Sequence, residues 1–286
     1  MTPAVLVLAF AALVVPSAGT AADDAPLVAA ASDLQFALSQ IAAAFERQTG
    51  KAVRIVYGSS GNFRRQIADG GPFEMFLSAD EAYVTALASE GYTLDEGVQY
   101  AVGRLALVVP EGSMLELDPT LRDLGAAVAD GRVRKFAIAN PEHAPYGRAA
   151  REALSTAGVW ESVRRHLVFG ENIAQAAQFA TSGSAQGGIV ALSLALAPGA
   201  LGAARYVAIP ESMHKPLAQR MVLTKRARGT AREFYRYLQQ PAARAVFRRY
   251  GFTMSGAGPP QGANSAPSGG SAAAAAASVG AHISGE

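Results

Sequence analysis

The sequence predicts an α/β fold with two lobes and a cleft between them. From Leu27 onward, short apolar runs alternate with longer stretches of helical periodicity, a pattern typical of a parallel sheet covered by helices on both faces. A long apolar stretch from Tyr100 to Pro110 interrupts this series, and a second series of the same kind follows it. Because the stretch is longer than a typical strand, we interpret it as a crossing from one lobe to the other.

The first series predicts three strands and three helices. In chain order these are strand Leu27 to Ala31, helix Leu34 to Thr49, strand Val53 to Tyr57, helix Phe63 to Ala68, strand Met75 to Leu77 and helix Ala82 to Ser89. The first of these helices repeats its apolar residues at helical spacing, and Gly50 ends it. Asp33 lies in its first turn, where a carboxylate complements the helix dipole.

The second series predicts the other lobe and the return to the first. Its helices are Leu121 to Ala129, Arg148 to Ala157 and Ile173 to Thr181, and its strands are Phe136 to Ala139, Gly188 to Ala191 and Tyr206 to Pro210. Gln219 to Thr224 is the candidate for the return crossing, and Ala231 to Leu238 and Ala242 to Arg249 are predicted closing helices. We therefore expect residues 23–103 with 211–254 to form one lobe and residues 104–210 the other.

Both ends of the chain differ from this pattern. Residues 4–15 are a run of 12 apolar residues, too short to span a membrane but of the length found in the apolar core of a signal peptide. Residues 1–22 are therefore predicted to be a signal peptide for export, with a buried strand or a wrongly assigned start as the alternatives. Residues 255–286 are rich in Gly, Ser, Ala and Pro, which predicts a disordered, low-complexity tail.

The composition argues against several classes of function. The chain has no cysteine, which excludes disulfides, thiolate zinc sites and a cysteine nucleophile. Its four histidines are scattered without metal-binding spacing, and it lacks both the Gly-x-Ser-x-Gly elbow of hydrolases and the glycine-rich phosphate loops. The net charge is only +2, with the arginines spread along the chain. We expect no enzymatic activity, no cofactor and no nucleic-acid partner.

Serine hydroxyls stand where two predicted helices begin. Ala31-Ser32 and Gly58-Ser59-Ser60 each follow an apolar strand, and two further helix starts are Asn140 to Gly147 and Gly170 to Ile173. The free N–H groups and the dipole of a helix N-terminus attract anions, and a serine hydroxyl adds a neutral donor. Each serine alone is explained as an ordinary helix cap. Four helix starts converging on one cleft instead predict a site for a small oxyanion.

The nature of the donors narrows the choice of anion. Molybdate, tungstate and sulfate are fully deprotonated at neutral pH and accept hydrogen bonds only, so a pocket of donors suits them. Phosphate retains a proton and would need an acceptor, which Asp33 or Glu171 would have to supply. Sulfate and molybdate want the same donors, and cavity size has to decide between them.

Six short segments, taken in order, resemble one protein family. They are Ala29-Ala30-Ala31-Ser32, Gly58-Ser59-Ser60, Phe76-Leu77-Ser78-Ala79-Asp80, Pro141-Glu142-His143, Gly188-Ile189-Val190 and Arg249-Tyr250-Gly251-Phe252. Across residues 26–254 the chain resembles the periplasmic molybdate-binding proteins of the bacterial molybdate ABC importer, the ModA family. This resemblance implies the class II fold of periplasmic binding proteins, capture of molybdate or tungstate in the interlobe cleft, and delivery to an inner-membrane permease. We further expect a monomer in the periplasm.

The resemblance also implies a set of ligands. The family's two serines correspond to Ser32 and Ser60, with Ser59 as their neighbour, and its two backbone amides correspond to Tyr146 and Ile173. Molybdenum would be bound only as its oxyanion, through these residues. Some members carry a tyrosine where this chain has Ala191, so we expect Tyr146 or an additional amide to compensate. The alternatives are a binding protein for sulfate, phosphate, ferric ion or a small organic acid, and, more remotely, an exported hydrolase.

Overall fold

Two five-stranded sheets with flanking helices form residues 25–254, the part of the chain that the computed structural model describes. The predicted signal peptide and the predicted C-terminal tail lie outside these residues. The strand order is β2-β1-β3-β10-β4 in one sheet and β7-β6-β8-β5-β9 in the other. The two-lobed α/β fold predicted from the sequence is therefore confirmed, and we call the lobes built on these sheets the first and the second lobe.

The first lobe contains the chain's beginning and its end. Its elements are β1 (Leu27–Ala31), α1 (Gln35–Thr49), β2 (Arg54–Gly58), α2 (Ser60–Ala68), β3 (Met75–Ser78), α3 (Glu81–Ser89), β4 (Val98–Gly103), β10 (Leu217–Leu223), α9 (Gly229–Leu238) and α10 (Pro241–Arg249). Phe45, Phe234 and Phe247 pack in a core on one face of the sheet. Phe63 and Phe76 pack in a second core with α2 and α3.

The second lobe is formed by the middle of the chain. Its elements are β5 (Leu105–Val109), α4 (Arg122–Ala129), β6 (Phe136–Ala139), α5 (Pro145–Thr156), α6 (Trp160–Val163), β7 (Leu167–Gly170), α7 (Ile173–Thr181), β8 (Gly188–Ala191), α8 (Leu192–Ala195) and β9 (Arg205–Ala208). Its core contains Phe136, Ile138 and the ring of Tyr146. Strand β7 and the short helices α6 and α8 were not predicted, since their few residues show little periodicity.

Two strands depart from the parallel arrangement that the alternation of strands and helices predicts. Strand β10 runs antiparallel to β3 and β4, and β5 runs antiparallel to β8 and β9. Each of these strands is the first one after a crossing between the lobes. It enters its sheet from the cleft edge, where the parallel strands end, and must therefore run in the opposite direction.

The crossings themselves are short. The stretch from Tyr100 to Pro110, interpreted as one crossing, consists of two strands in different sheets, with Arg104 between them. A Cβ atom on Gly103, the last residue of β4, would lie 2.2 Å from the Tyr146 hydroxyl oxygen. Glycine is therefore required where β4 passes close to the second lobe. The return runs from Ala208 to Leu217 and includes a 3-10 turn, Glu211–Met213.

Within residues 25–254, none of the helices has the length and apolar composition needed to cross a bilayer.

Candidate anion-binding site

A small cavity lies between the lobes, where the predicted helix starts meet. Its lining consists of Ala31, Ser32, Asp33, Gly58, Ser59, Ser60, Ala79, Ala144, Pro145, Tyr146, Asn172 and Ile173. All five residues predicted to contact the anion thus line one cavity. The cavity measures about 10 Å³, close to the lower limit for holding one water molecule. An organic ligand would not fit a cavity of this size.

Each of these residues is positioned by the end of a strand or the start of a helix. Ser32 opens a 3-10 turn, Ser32–Leu34, directly after β1. Ser60 is the first residue of α2, and Ser59 precedes it. Tyr146 lies in the first turn of α5, behind Pro145, and Ile173 is the first residue of α7. Three helix N-termini and one 3-10 turn therefore surround the cavity, where the sequence predicted four helix starts.

The hydrogen bonds of Ser32 and Ser60 leave their hydroxyl hydrogens free. The Oγ of Ser60 accepts a hydrogen bond from the Ala79 N–H at 3.0 Å, and the Oγ of Ser32 accepts one from the Ala174 N–H at 3.3 Å. A hydroxyl that accepts in this way still has its own hydrogen to donate. Both serines are nearly fully buried, so the cavity is where those two hydrogens can find an acceptor.

Two backbone amides are available in the same way. Tyr146 and Ile173 lie at helix starts, so their N–H groups have no acceptor inside their own helices. Across the described residues these two groups make no hydrogen bond with another segment either. The side chain of Asn172 caps α7 by accepting from the N–H groups of Ala174 and Gln175, which leaves the Ile173 N–H uncovered. An anion in the cavity would accept a hydrogen bond from each of these N–H groups.

The hydroxyl hydrogen of Ser59 is already used. Its Oγ donates to the main-chain oxygen of His143 at 2.6 Å and lies 3.0 Å from the His143 Nδ1. The resemblance placed Ser59 among the anion contacts as a neighbour of Ser60. In the structure Ser59 lines the cavity, but its donor is directed to the opposite lobe.

Among the residues that the structure describes, no lysine, arginine or histidine side chain lines the cavity. The one ionisable carboxyl there is Asp33, which is buried. Its Oδ2 accepts hydrogen bonds from the Tyr146 hydroxyl at 2.9 Å and the Gln219 Nε2 at 2.7 Å. The sequence did not indicate that Gln219 and Ala79 belong to the site. The only signal for Gln219 was that a polar residue stands in an apolar strand. The Tyr146 hydroxyl is thus engaged by Asp33.

Because Asp33 is buried, the free energy of unfolding depends on the protonation state of its carboxyl. Burial raises the pKa of this carboxyl from 3.8 to about 6, although the donors on Gln219 and Tyr146 pull it down. Between these values the folded state binds the proton more strongly than the unfolded state does, so stability is lost as the pH rises. A shift of this size corresponds to about 3 kcal/mol at most.

We expect Asp33→Asn to lose this pH dependence. Urea unfolding of the anion-free protein at pH 4 and pH 7.5 should show wild type losing about 2–3 kcal/mol more than the variant across this interval. Asp69→Asn, at an exposed aspartate of the same lobe, serves as the control and should follow wild type. Parallel pH profiles for wild type and Asp33→Asn would contradict the expectation.

An arginine of the second lobe binds the first lobe beside the cavity. Arg148 on α5 pairs with Asp80, donates to the Tyr83 hydroxyl at 2.7 Å, and lies 5.2 Å above the Tyr83 ring. Asp80 also caps α3 by accepting from the Ala82 N–H. Asp80 therefore has two structural roles, as the cap of a helix and as the partner of an arginine from the other lobe.

We expect Arg148→Ala to weaken anion binding about two- to fivefold, because a half-exposed ion pair contributes at most about 1 kcal/mol. The loss should shrink at high salt, which screens the pair. The affinity of Asp80→Asn and of the double variant completes a mutant cycle. Additive losses from Arg148→Ala and Asp80→Asn would show that the pair does not act across the cleft.

The described residues contain no group of three or more His, Asp or Glu side chains able to hold a metal ion. His143 contacts Ser59 through Nδ1 and lies 3.5 Å from Glu171 through Nε2.

Comparison with known proteins places the chain in a family. The family model described as bacterial extracellular solute-binding protein matches residues 26–253. The chain is a bacterial extracellular solute-binding protein. It is 36% identical to the molybdate-binding protein ModA of Rhodobacter capsulatus over 244 residues, which are 84% of this chain and 93% of that protein. It is 31% identical to the ModA of Escherichia coli K12 over 248 residues, 85% and 95% of the two chains.

Solved structures agree with this assignment. The periplasmic molybdate-binding protein of Azotobacter vinelandii matches this solute-binding protein with a TM-score of 0.72 and 31% identity, over 80% of this chain and 99% of that one. The sulfate-binding protein SubI of Mycobacterium tuberculosis shares the fold, with a TM-score of 0.65 and 17% identity, over 80% and 86% of the two chains. The resemblance to the ModA family is therefore confirmed. Because the family consists of solute-binding proteins rather than enzymes, the hydrolase alternative is excluded.

Proposed function

We propose that this chain captures molybdate, and also tungstate, in the cavity between its lobes and delivers it to the membrane permease of an ABC importer. The observation that carries the proposal is the set of four uncommitted donors in one cavity. They are the hydroxyls of Ser32 and Ser60 and the N–H groups of Tyr146 and Ile173. Each hydrogen bond to a charged group contributes about 1.5–3 kcal/mol, so four can offset much of the anion's desolvation.

The identity of the ligand is supported by the relatives, three of which are molybdate-binding proteins ModA that are at least 31% identical to this chain. Molybdenum would enter as its oxyanion, with no resident cofactor. The proposed place of action is the periplasm, reached by a signal peptide in residues 1–22, and the proposed state is a monomer.

Calorimetric titration of the purified chain, dialysed free of anions, tests this function. We expect one-to-one binding of molybdate and tungstate and no heat with sulfate, because the relatives that are 31–36% identical to this chain are molybdate-binding proteins. The titration must include phosphate, because the carboxyl of Asp33 lines the cavity and is the acceptor that a protonated anion needs. Equal binding of sulfate, or no binding of molybdate, would overturn the proposal.

A further inference from the structure

We propose that Ser59 and Gly61 close the cleft rather than bind the anion, by holding the main-chain oxygen of His143. This inference rests on the proposed function and assigns a task to a residue beside the anion. The Ser59 Oγ donates to that oxygen at 2.6 Å, and the Gly61 N–H donates to it at 3.0 Å. Both donors belong to the start of α2 in the first lobe, and the acceptor lies just before α5 in the second lobe.

Counting hydrogens separates Ser59 from its neighbour. A hydroxyl has one hydrogen, and that of Ser59 is directed to the His143 oxygen. The contact of 3.0 Å between the Ser59 Oγ and the His143 Nδ1 is then satisfied when Nδ1 carries the proton and donates it. Ser59 therefore has no hydrogen left for an anion, whereas Ser60 accepts a hydrogen bond from its own lobe and keeps its hydrogen.

Ser59 is also not needed to start its helix. It occupies the position before α2, but its side chain makes no capping hydrogen bond. The hydroxyl of Ser59 thus serves a contact between segments 84 residues apart in the sequence.

A second link between the lobes lies beside His143. The Asn62 side chain of the first lobe donates to the Glu171 carboxylate of the second lobe, and the other oxygen of that carboxylate lies 3.5 Å from the His143 Nε2. None of these bonds involves an anion, so they stabilise the closed form by themselves.

A residue that closes the cleft and a residue that binds the anion affect the equilibrium between the open and closed forms differently. A contact that exists only in the closed form raises its population before any anion binds, and it changes the affinity for every anion by the same factor. A ligand residue whose other bonds stay within its own lobe, such as Ser60, leaves that equilibrium alone and changes the affinities for different anions unequally, since it touches them.

The absence of cysteine from the chain makes the measurement direct. Gln48→Cys in the first lobe and Ala126→Cys in the second are exposed helix positions for a pair of spin labels. The distance distribution between the labels is recorded without anion for wild type, Ser59→Ala, Ser59→Thr and Ser60→Ala. Calorimetry of the same proteins without labels gives their affinities for molybdate and tungstate.

We expect Ser59→Ala to shift the distribution of label-to-label distances, recorded without anion, away from the closed distance. The affinities for molybdate and tungstate should fall by one common factor, about three- to tenfold. Ser59→Thr should restore both readouts, and Ser60→Ala should keep the wild-type distances while losing affinity. An unchanged distance distribution in Ser59→Ala, or unequal losses for the two anions, would overturn the proposal. If wild type bound neither anion, the proposed function would fail, whereas the distances would still decide the role of Ser59.

Discussion

Replacing Ser32 and Ser60 together by alanine is expected to reduce the affinity for molybdate by a factor of about 10² to 10⁴. The double variant removes the two hydroxyl hydrogens that the structure leaves free at the cavity. Each is worth about 1.5–3 kcal/mol when it bonds to a charged group, and a factor of ten corresponds to about 1.4 kcal/mol. Competition calorimetry, in which molybdate displaces a weaker anion, measures a loss of this size.

The double variant also costs some stability, because the Ala79 N–H loses its acceptor on Ser60. An unpaired buried donor costs about 1–3 kcal/mol, so the titration belongs at a temperature where circular dichroism shows the variant fully folded. Ser155→Ala, at an exposed serine of α5, is the matched control and should bind as wild type does. An affinity within threefold of wild type in the double variant would remove Ser32 and Ser60 from the site.

Replacing Gly61 by alanine is expected to weaken binding of every anion roughly 10- to 100-fold by obstructing closure of the cleft. The added Cβ would lie 2.6 Å from the His143 main-chain oxygen and 2.9 Å from the Tyr83 hydroxyl. Overpacking of this kind costs about 1–3 kcal/mol, and backbone atoms cannot move aside as the end of a side chain can. The clash with the His143 oxygen exists only in the closed form, since His143 belongs to the other lobe. Tyr83 belongs to the same lobe as Gly61, but its hydroxyl is the end of a side chain and can move aside.

The unfolding free energy separates obstructed closure from a folding defect. Alanine is a better helix former than glycine, so the anion-free Gly61→Ala protein should stay within about 1 kcal/mol of wild type in urea unfolding. Gly229→Ala is the matched control, because Gly229 also lies in the first turn of a helix of the first lobe and an added Cβ there meets nothing within 4 Å. Wild-type affinity in Gly61→Ala would show that α2 and the His143 segment need not approach so closely for binding.

Much of the fold could be predicted from the sequence because strands and helices depend on neighbouring residues. The periodicity gave β6, α7 and β8 with the bounds that the structure has, and the starts of α2 and α5 differed by three residues each. The direction of β10 and of β5 could not be predicted in this way. It follows from the edge at which the chain re-enters each sheet, which depends on the crossings and not on local propensity.

The candidate site, like the fold, could be predicted from the sequence only in part. The sequence by itself determined that serines and free amides stand at helix starts, because a strand followed by a helix start with serine, asparagine or proline is a local signal. Only the tertiary structure decided which hydrogens remain available, because the acceptors lie far away along the chain. Ser59 and His143 are 84 residues apart, and Asp33 and Gln219 are 186 apart. Two adjacent serines that look equivalent in sequence therefore have different tasks, since each hydroxyl has a single hydrogen and folding determines which acceptor receives it.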